Sequence, residues 1–380
     1  MKEYLLTAGP TPVPERVLLA MARPVLYHRS PVFTEILRET QDSLRWLFQT
    51  KQLPLVLSGS GTLGMEAAVA NFLRAGDKAI VVRGGKFGER WGRLCQAFGI
   101  ECVFIDVEWG KGVDPKAVAD ALDKHPEVRA VYTTACETST ATVHDVKEIA
   151  KIVKGKPDTI MCVDAITAIG VTDVPVDEWG FDVTVCGSQK ALMLPPGLAI
   201  VAVSDKGWKA NERANLPRFY ADLGRERKSQ DKGDTGFTPA VSLIMGLRES
   251  LRMMKEETME GVFNRHERLA KATRAAAGGL GLDLLSSSPA NAVTGFRMPA
   301  GIDGAAVIKQ MRQRYGITIA GGQDHLKGKI VRIAHIGYVS EFDIITAISG
   351  LEMTLSDLGY GMRPGAGVAA AQATFAGTRA

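Results

Sequence analysis

The stretch Phe181-Asp-Val-Thr-Val-Cys-Gly-Ser-Gln-Lys190-Ala-Leu-Met-Leu-Pro-Pro-Gly197 decides how the rest of this sequence is interpreted. An apolar, strand-like run ends at Gly187-Ser188-Gln189, a lysine follows, and Pro-Pro-Gly stops the segment. Lysine is rarely buried without a partner, yet Lys190 stands between a glycine turn and an apolar run. Burial would lower the pKa of its amine and favour imine formation. A surface lysine is the alternative that this segment leaves open.

A second apolar run, Met161-Cys-Val-Asp164, ends in a carboxylate. A carboxylate at that point is costly unless it has a cationic or hydrogen-bonding partner. A lysine after one strand and an aspartate at the tip of another are two of the parts that hold pyridoxal phosphate. The lysine forms a Schiff base and the aspartate pairs with the pyridinium nitrogen. A structural salt bridge or a helix N-cap is the alternative role of Asp164.

The glycine-rich turn Ser58-Gly59-Ser60-Gly61-Thr62 predicts a phosphate site. Between a strand and a helix, such a turn presents backbone N–H groups and the positive end of the helix dipole, and Ser60 and Thr62 can add hydroxyl donors. An ordinary capped turn is the alternative. The segment also matches GxGxxG, but the next strand ends in Val82-Arg83-Gly84-Gly85, without the acidic residue of a dinucleotide site. A non-catalytic phosphate- or dinucleotide-binding protein is therefore a remote alternative.

Three more residues are candidates for a site. Phe87 lies in a glycine-rich loop and can stack on a flat cofactor ring, or pack into the core at a helix start. Thr138, in Glu137-Thr-Ser-Thr140, can donate to a phenolate oxygen or to substrate, or belong to a plain turn. Arg332 can bind a substrate carboxylate through two parallel hydrogen bonds, or lie at a strand edge.

Strand and helix patterns alternate from Leu53 onward, which predicts an α/β fold with a mostly parallel sheet. Continuous apolar runs indicate strands buried on both faces. The predicted strands are Leu55–Leu57, Ala79–Val82, Cys102–Ile105, Ala130–Thr133, Thr159–Val163, Val183–Val185 and Leu198–Ala202. The candidate residues of this part of the chain all follow a predicted strand, where such sheets bind ligands.

Four parts are predicted along the chain. Residues 1–20 form an extended, proline-rich arm, residues 21–258 a large cofactor-binding domain, and residues 259–360 a smaller α+β domain. The Gly/Ala-rich tail, residues 361–380, has few large apolar side chains and is expected to be disordered.

Composition excludes some classes of protein. A net charge of +4 is small for 380 residues and argues against a nucleic-acid partner, which usually shows as a clustered basic face. The five cysteines show no ligand-like grouping with histidine, so no metal site is expected. No apolar stretch reaches the roughly 18 residues of a membrane span, and the N-terminus lacks a signal-peptide core. A cytoplasmic protein without membrane contact is expected.

Together these segments resemble the class V aminotransferases of fold type I, and within them the alanine/serine–glyoxylate aminotransferase family. The resemblance runs from Leu5 to about Leu358, and its most specific part is Gly187-Ser-Gln-Lys190-Ala-Leu with Pro-Pro-Gly behind it. It implies the PLP-dependent transferase fold type I. It also implies a ping-pong reaction in which alanine or serine gives its amine to the cofactor, and glyoxylate or another small 2-oxo acid then takes it.

The resemblance assigns the site residues. Lys190 would bind the cofactor and move a proton between the substrate Cα and the cofactor C4′, while Asp164 would keep the pyridine nitrogen protonated. Arg332 would grip the substrate α-carboxylate. The other roles are phosphate binding by Ser60, Gly61, Thr62 and Gln189, ring stacking by Phe87 and Ile166 on opposite faces, and bonding near the phenolic oxygen by Thr138. Thr235 and Thr238 would complete the phosphate site of a neighbouring subunit, so a homodimer with interfacial active sites is implied.

The sequence also departs from that family. Ala135-Cys-Glu-Thr-Ser-Thr-Ala141 replaces the more usual His-x-Glu-Thr/Ser-Ser-Thr-Gly, and Phe87 replaces a frequent tryptophan. A transaminase of aspartate, of a sulfonated amino acid or of 2-aminoethylphosphonate remains open. A cysteine desulfurase needs a nucleophilic cysteine in the C-terminal half, whereas the last cysteine here is Cys186. The family includes small subunits of soluble hydrogenases, so a partner-binding role is a further alternative, although no metal-ligand cluster supports a redox role.

Overall fold

The computed structural model describes residues 2–377, with strands and helices that follow the predicted alternation. The strands are β1 (Tyr4–Leu5), β2 (Leu55–Ser58), β3 (Lys78–Arg83), β4 (Glu101–Asp106), β5 (Val128–Thr134), β6 (Cys136–Glu137), β7 (Thr142–Val143), β8 (Ile160–Asp164), β9 (Val183–Gly187), β10 (Leu198–Val203), β11 (Val293–Arg297), β12 (Ile317–Thr318), β13 (Ala320–Gly321) and β14 (Ile330–Ala334). The helices are α1 (Glu15–Met21), α2 (Pro31–Phe48), α3 (Gly61–Ala70), α4 (Lys86–Ala97), α5 (Pro115–Lys124), α6 (Val146–Lys154), α7 (Val176–Trp179), α8 (Asp205–Arg213), α9 (Leu223–Gln230), α10 (Val241–Glu257), α11 (Met259–Leu280), α12 (Gly304–Tyr315), α13 (Glu341–Asp357) and α14 (Ala366–Gly377).

The central sheet has seven strands in the order β2-β10-β9-β8-β5-β3-β4. The pairs from β9 to β4 are parallel, and β10 runs antiparallel to both of its neighbours. The prediction of an α/β fold with a mostly parallel sheet is therefore confirmed, with one reversed strand.

The continuous apolar runs reflect burial on both faces of this sheet. In β3, Ile80 and Val82 pack into one core while Ala79 and Val81 pack into the other, and all four side chains are buried. Successive side chains point to opposite faces of a strand, so a strand covered on both faces has apolar residues at every position.

The sheet brings the predicted site residues to one edge. β8 ends at Asp164, and its parallel neighbour β9 ends at Gly187, three residues before Lys190. Helices α3 and α4 begin shortly after β2 and β3 at the same edge. Parallel strands place their carboxyl ends together, and ligands of such sheets bind there.

The C-terminal part contains the sheet β11-β14-β13 with α11, α12 and α13 around it. The N-terminal arm joins this part, because β1 pairs with β12 and Leu6 enters its apolar core. The arm is not extended through residue 20 as predicted: α1 starts at Glu15, directly after the last proline of the arm, Pro14. The predicted boundary at residues 258 and 259 falls between α10 and α11 and stays a prediction.

The expectation of a disordered tail is wrong for most of that segment, because α14 spans Ala366–Gly377. Alanine favours helix, and the small residues allow α14 to lie very close to α11: a Cβ on Gly279 would stand 2.6 Å from the carbonyl oxygen of Ala366. Glu352 on α13 accepts the N–H of Gly367 at 2.6 Å, so the amino end of α14 is capped. Residues 378–380 lie outside the described residues.

Among residues 2–377, no helix combines the length and hydropathy that crossing a membrane requires.

Phe375 tests whether α14 is an integral part of the fold. Its side chain is 3% exposed, so Phe375→Ala should lower the apparent free energy of unfolding by about 3 kcal/mol through lost burial and a cavity. Denaturant titration would measure the loss. Phe342→Ala is the control, because Phe342 is 80% exposed and its truncation should change stability by no more than about 0.5 kcal/mol. Equal effects of the two changes would contradict a packed α14.

Candidate active site

The amine of Lys190 lies buried at the carboxyl edge of the sheet, after β9. Its Nζ donates a hydrogen bond to the carbonyl oxygen of Ala8, and Thr11 Oγ1 donates to the Lys190 carbonyl oxygen at 3.0 Å. Gly9 lies directly against the amine, so that a Cβ there would overlap Lys190 Nζ. Burial lowers the pKa of Lys190 from 10.5 to about 8, which keeps part of the amine neutral near physiological pH.

Asp164 ends β8 and is 4% exposed. Its Oδ1 accepts the N–H of Ile166 at 3.0 Å, and its carbonyl oxygen accepts the N–H of Ala135 at 2.9 Å. Burial raises the pKa of Asp164 from 3.8 to about 6, and the hydrogen bond from Ile166 opposes this rise. A cation placed against this buried carboxylate would stabilise its charged form.

A cradle of backbone and small residues surrounds the start of α3. Ser60 is the N-cap, but its hydroxyl does not cap the helix, so it is available to a ligand. A Cβ on Gly61 would stand 2.5 Å from Ile166 Cδ1, and one on Gly187 would stand 3.3 Å from Gln189 Oε1. Gln189 Oε1 is buried without a hydrogen-bond partner. This arrangement fits an anion at the helix N-terminus, with the Gln189 amide turned to donate.

Arg90 connects the aromatic wall of the site to this cradle. It lies on α4, where its guanidinium is 4.8 Å from the centroid of the Phe87 ring. Its Nη1 donates to Thr62 Oγ1 at 3.1 Å. Arg90 also contributes positive potential at Asp164 and Lys190.

Arg332 reaches the site from the small three-stranded sheet, on its central strand β14. Its Nε donates to the carbonyl oxygen of Gly321 at 2.9 Å, and its Nη1 donates to that of Thr138. Burial lowers the pKa of Arg332 from 12.5 to about 10. Among residues 2–377, no carboxylate forms a salt bridge with this guanidinium, so it can bind a carboxylate ligand.

Thr235 and Thr238 are not brought together with these residues within one chain. The Thr235 hydroxyl donates to the carbonyl oxygen of Phe237 at 2.7 Å, within its own loop. Both threonines line a small recess with Ser58 and Tyr220, just before α10.

Comparison with known proteins gives the family. The model of Aminotransferase class-V matches residues 3–339. The chain belongs to the class V aminotransferases. Its relatives support fold type I as predicted: the ureidoglycine–glyoxylate aminotransferase of Bacillus subtilis superposes with a TM-score of 0.94 at 30% identity, covering 99% of this chain and 98% of that one.

Curated relatives carry two kinds of name. The small subunit of a soluble hydrogenase from Synechococcus is 46% identical over 97% of each chain. The L-aspartate–glyoxylate aminotransferase of Paracoccus denitrificans is 36% identical, covering 98% of this chain and 96% of its own. The serine–glyoxylate aminotransferase of Methylorubrum extorquens is also 36% identical, covering 97% of this chain and 95% of its own.

This class V aminotransferase uses pyridoxal phosphate, and the residues present fit that cofactor. The α3 cradle fits the phosphate, and the buried carboxylate of Asp164 fits a protonated ring nitrogen. Phe87 and Ile166 are apolar side chains suited to the two ring faces. Their roles, like those of the other site residues, stay predictions.

Sequence reasoning missed three parts of the site. Arg90 follows Phe87 by one helical turn, a spacing that places both on one face of α4 and offered a signal. Glu137 is buried beside Thr138, although a carboxylate in a hydroxyl-rich turn is normally exposed. The contact of Ala8 and Gly9 with Lys190 had no local signal, because about 180 residues separate them.

The raised pKa of Asp164 predicts that this residue lowers stability in the cofactor-free protein. Between pH 3.8 and about 6 the folded chain holds more protons than the unfolded chain, so stability falls as the pH rises through that window. Asp164→Asn removes the buried charge and keeps an acceptor for the Ile166 N–H. We expect its free energy of unfolding, measured by denaturant titration, to exceed that of wild type by about 3 kcal/mol at pH 7.5. Below pH 4 the two proteins should not differ.

Asp182 provides the matched control. It is also a buried aspartate, one residue before β9, but it accepts the N–H of Met161 at 2.9 Å and pairs with Lys206 at 3.5 Å. Asp182→Asn should therefore lower stability at pH 7.5. A cofactor-free Asp164→Asn protein no more stable than wild type at that pH would contradict the prediction.

Proposed function

We propose that this aminotransferase moves the amino group of a small L-amino acid, alanine or serine, to glyoxylate or another small 2-oxo acid by a ping-pong mechanism. The observation that carries the proposal is the buried Lys190 amine, with Asp164 at the neighbouring strand end and the buried guanidinium of Arg332 nearby. Lys190 can act as a base, Asp164 can pair with a protonated cofactor ring, and Arg332 can bind a substrate carboxylate.

The chemistry of each residue follows from its surroundings. When bound, pyridoxal phosphate supplies an aldehyde that reacts with amines and a ring that takes up the electrons released at the substrate Cα. Lys190, with its lowered pKa, can take the proton from that carbon and return it. Asp164 holds a proton on the ring nitrogen, and Arg332 orients the α-carboxylate through its fork of N–H groups.

The N-terminal arm supports a small donor. Ala8 and Gly9 lie directly on the Lys190 amine and restrict the space beside that amine. The names of the Methylorubrum and Paracoccus relatives support glyoxylate as acceptor. The Paracoccus name also supports aspartate as an alternative donor. A sulfonated amino acid or 2-aminoethylphosphonate remains a lesser alternative.

The name of the Synechococcus relative raises a redox partnership as another candidate. Residues 2–377 bring together no group of three or more His, Cys, Asp or Glu side chains that could hold a metal ion, so no metal-ligand cluster in this part of the chain supports that role. The five cysteines are free thiols, which supports a reducing compartment, and we propose the cytoplasm.

A spectral titration tests the reaction. The purified protein with pyridoxal phosphate should show the near-visible band of the lysine-bound cofactor. L-Alanine or L-serine should convert it to the amino form, and glyoxylate should restore the band. L-Aspartate and 2-aminoethylphosphonate are the comparison donors. Conversion by aspartate alone would overturn the donor proposal, and a protein that binds no cofactor would overturn the whole function.

Lys190→Ala should abolish turnover while the protein still binds the cofactor non-covalently, because the α3 cradle and Asp164 remain. Lys209→Ala is the control. Lys209 is exposed on α8, so its substitution should leave turnover and cofactor binding unchanged. Undiminished transamination by Lys190→Ala would remove the role given to this lysine.

We also propose a homodimer in which Thr235 and Thr238 bind the cofactor phosphate of the partner subunit. Several exposed apolar side chains of residues 18–32 support a subunit contact: Leu18, Leu19, Val25, Tyr27 and Val32. Arg29, in the same segment, pairs with Asp234 at 2.7 Å, so the segment adjoins the threonine loop.

Complementation between two inactive variants tests the shared site. Thr238→Asp should repel the phosphate and inactivate a homodimer. Co-expressed with Lys190→Ala, it should give mixed dimers with one intact site, made of Lys190 from one chain and Thr238 from the other. Random pairing predicts about a quarter of wild-type activity. If Thr238 acts within its own chain, the mixed dimers should show no activity.

A further inference from the structure

The amino end of α4 is capped by residues outside the helix. Its N-cap position is Gly85, which has no side chain to bind the free N–H groups of the first turn. Glu137, the last residue of β6, takes that place: its Oε2 accepts the N–H groups of Phe87 and Gly88, each at 3.0 Å. A negative charge at a helix N-terminus is also favoured by the helix dipole.

The second carboxylate oxygen of Glu137 binds its own loop. Glu137 Oε1 accepts the N–H of Ser139 at 3.2 Å and also its hydroxyl. That hydroxyl in turn accepts the N–H of Lys86 at 3.1 Å, the first N–H of α4. Glu137 has no exposed surface, and a Cβ on Gly85 would stand 2.5 Å from its Cδ, so the carboxylate has one position available.

Two walls of the cofactor site meet at this carboxylate. α4 carries the stacking candidate Phe87, and the loop carries Thr138, whose carbonyl oxygen accepts from Arg332. We infer that Glu137 is a positioning residue: it fixes the aromatic wall, the Thr138 loop and, through that loop, the carboxylate-binding Arg332 relative to one another. The inference rests on pyridoxal phosphate as cofactor and not on the choice of amino donor.

The arrangement requires a carboxylate and not merely a polar side chain. All four groups that face Glu137 are donors: three backbone N–H groups and the Ser139 hydroxyl. The Ser139 hydroxyl can rotate its hydrogen while its oxygen still accepts the N–H of Lys86, but the three backbone N–H groups cannot reverse. Glutamine has the same shape but must aim its NH₂ group at one or more of these N–H groups, so one wall must move away.

The test compares Glu137→Gln with Glu352→Gln. Glu352 is a matched control, because it is a buried glutamate that accepts backbone N–H groups at the start of α14, away from the cofactor. Both changes should lower the melting temperature of the cofactor-free protein. Only Glu137→Gln should weaken pyridoxal phosphate binding, by about tenfold, and reduce the visible circular dichroism of the bound cofactor.

A Glu137→Gln protein that melts earlier yet keeps the wild-type dissociation constant and dichroism would overturn the inference. The same titration on wild type separates the two proposals: if wild type binds no pyridoxal phosphate, the cofactor assignment fails, whereas normal binding by both proteins removes only the role of Glu137.

A second pair of variants covers the case in which Glu137→Gln does not fold. A Cβ on Gly85 would meet both the Glu137 side chain and the Ser139 hydroxyl, so Glu137→Ala is combined with Ser139→Ala to free that space. Adding Gly85→Ser to this pair supplies a local N-cap to α4. The added serine should recover part of the melting temperature without restoring cofactor affinity, since α4 is then capped but no longer tied to the Thr138 loop. Full recovery of affinity by the serine would show that helix capping alone matters and would overturn the inference.

Discussion

A buried lysine beside a buried aspartate, at the ends of two neighbouring strands, is the constraint on which this structure depends. Burial moves the pKa of Lys190 to about 8 and that of Asp164 to about 6, so near pH 7 each group is within about 1.4 kcal/mol of changing its protonation state. A pKa close to the ambient pH suits a group that transfers protons, but neither buried group then stabilises the fold. The fold must hold both side chains with interactions located elsewhere.

Those interactions are the two apolar cores that cover the faces of the central sheet, and the contacts that the N-terminal arm and Arg332 make at the site. β8 and β9 are buried along their whole length, which fixes the strand ends. The arm residues Ala8 and Gly9 then lie on the lysine amine, while β1 pairs with β12 of the C-terminal part. Arg332 crosses to Thr138 from the same part. The arm thus covers the lysine amine, and both the arm and Arg332 tie the C-terminal part to this edge of the central sheet.

The seven strands of the sheet and the positions of Lys190 and Asp164 could be predicted from the sequence, because apolar runs buried on two faces leave a strong local pattern. The family resemblance added roles for residues such as Gln189 and Ile166, which have no local signal. The lysine–arm contact, the cap that Glu137 provides and the packing of α14 could not be predicted. Each depends on segments that meet only in the folded chain, and α14 is stabilised by close backbone approach instead of large apolar side chains.

The loop of residues 135–141, where the sequence departs from the pattern of the family it resembles, is held mainly by its backbone. Ala141 adopts φ +56°, a left-handed conformation that costs a non-glycine residue about 1 kcal/mol. Hydrogen bonds around it hold the backbone: Ala141 O accepts the N–H of Ala290, and Thr140 N donates to Glu137 O. Ala135, in place of histidine, still donates its N–H to Asp164 O. Main-chain bonds and the Glu137 carboxylate therefore determine this loop, so the side chains at positions 135 and 141 can change without displacing Thr138.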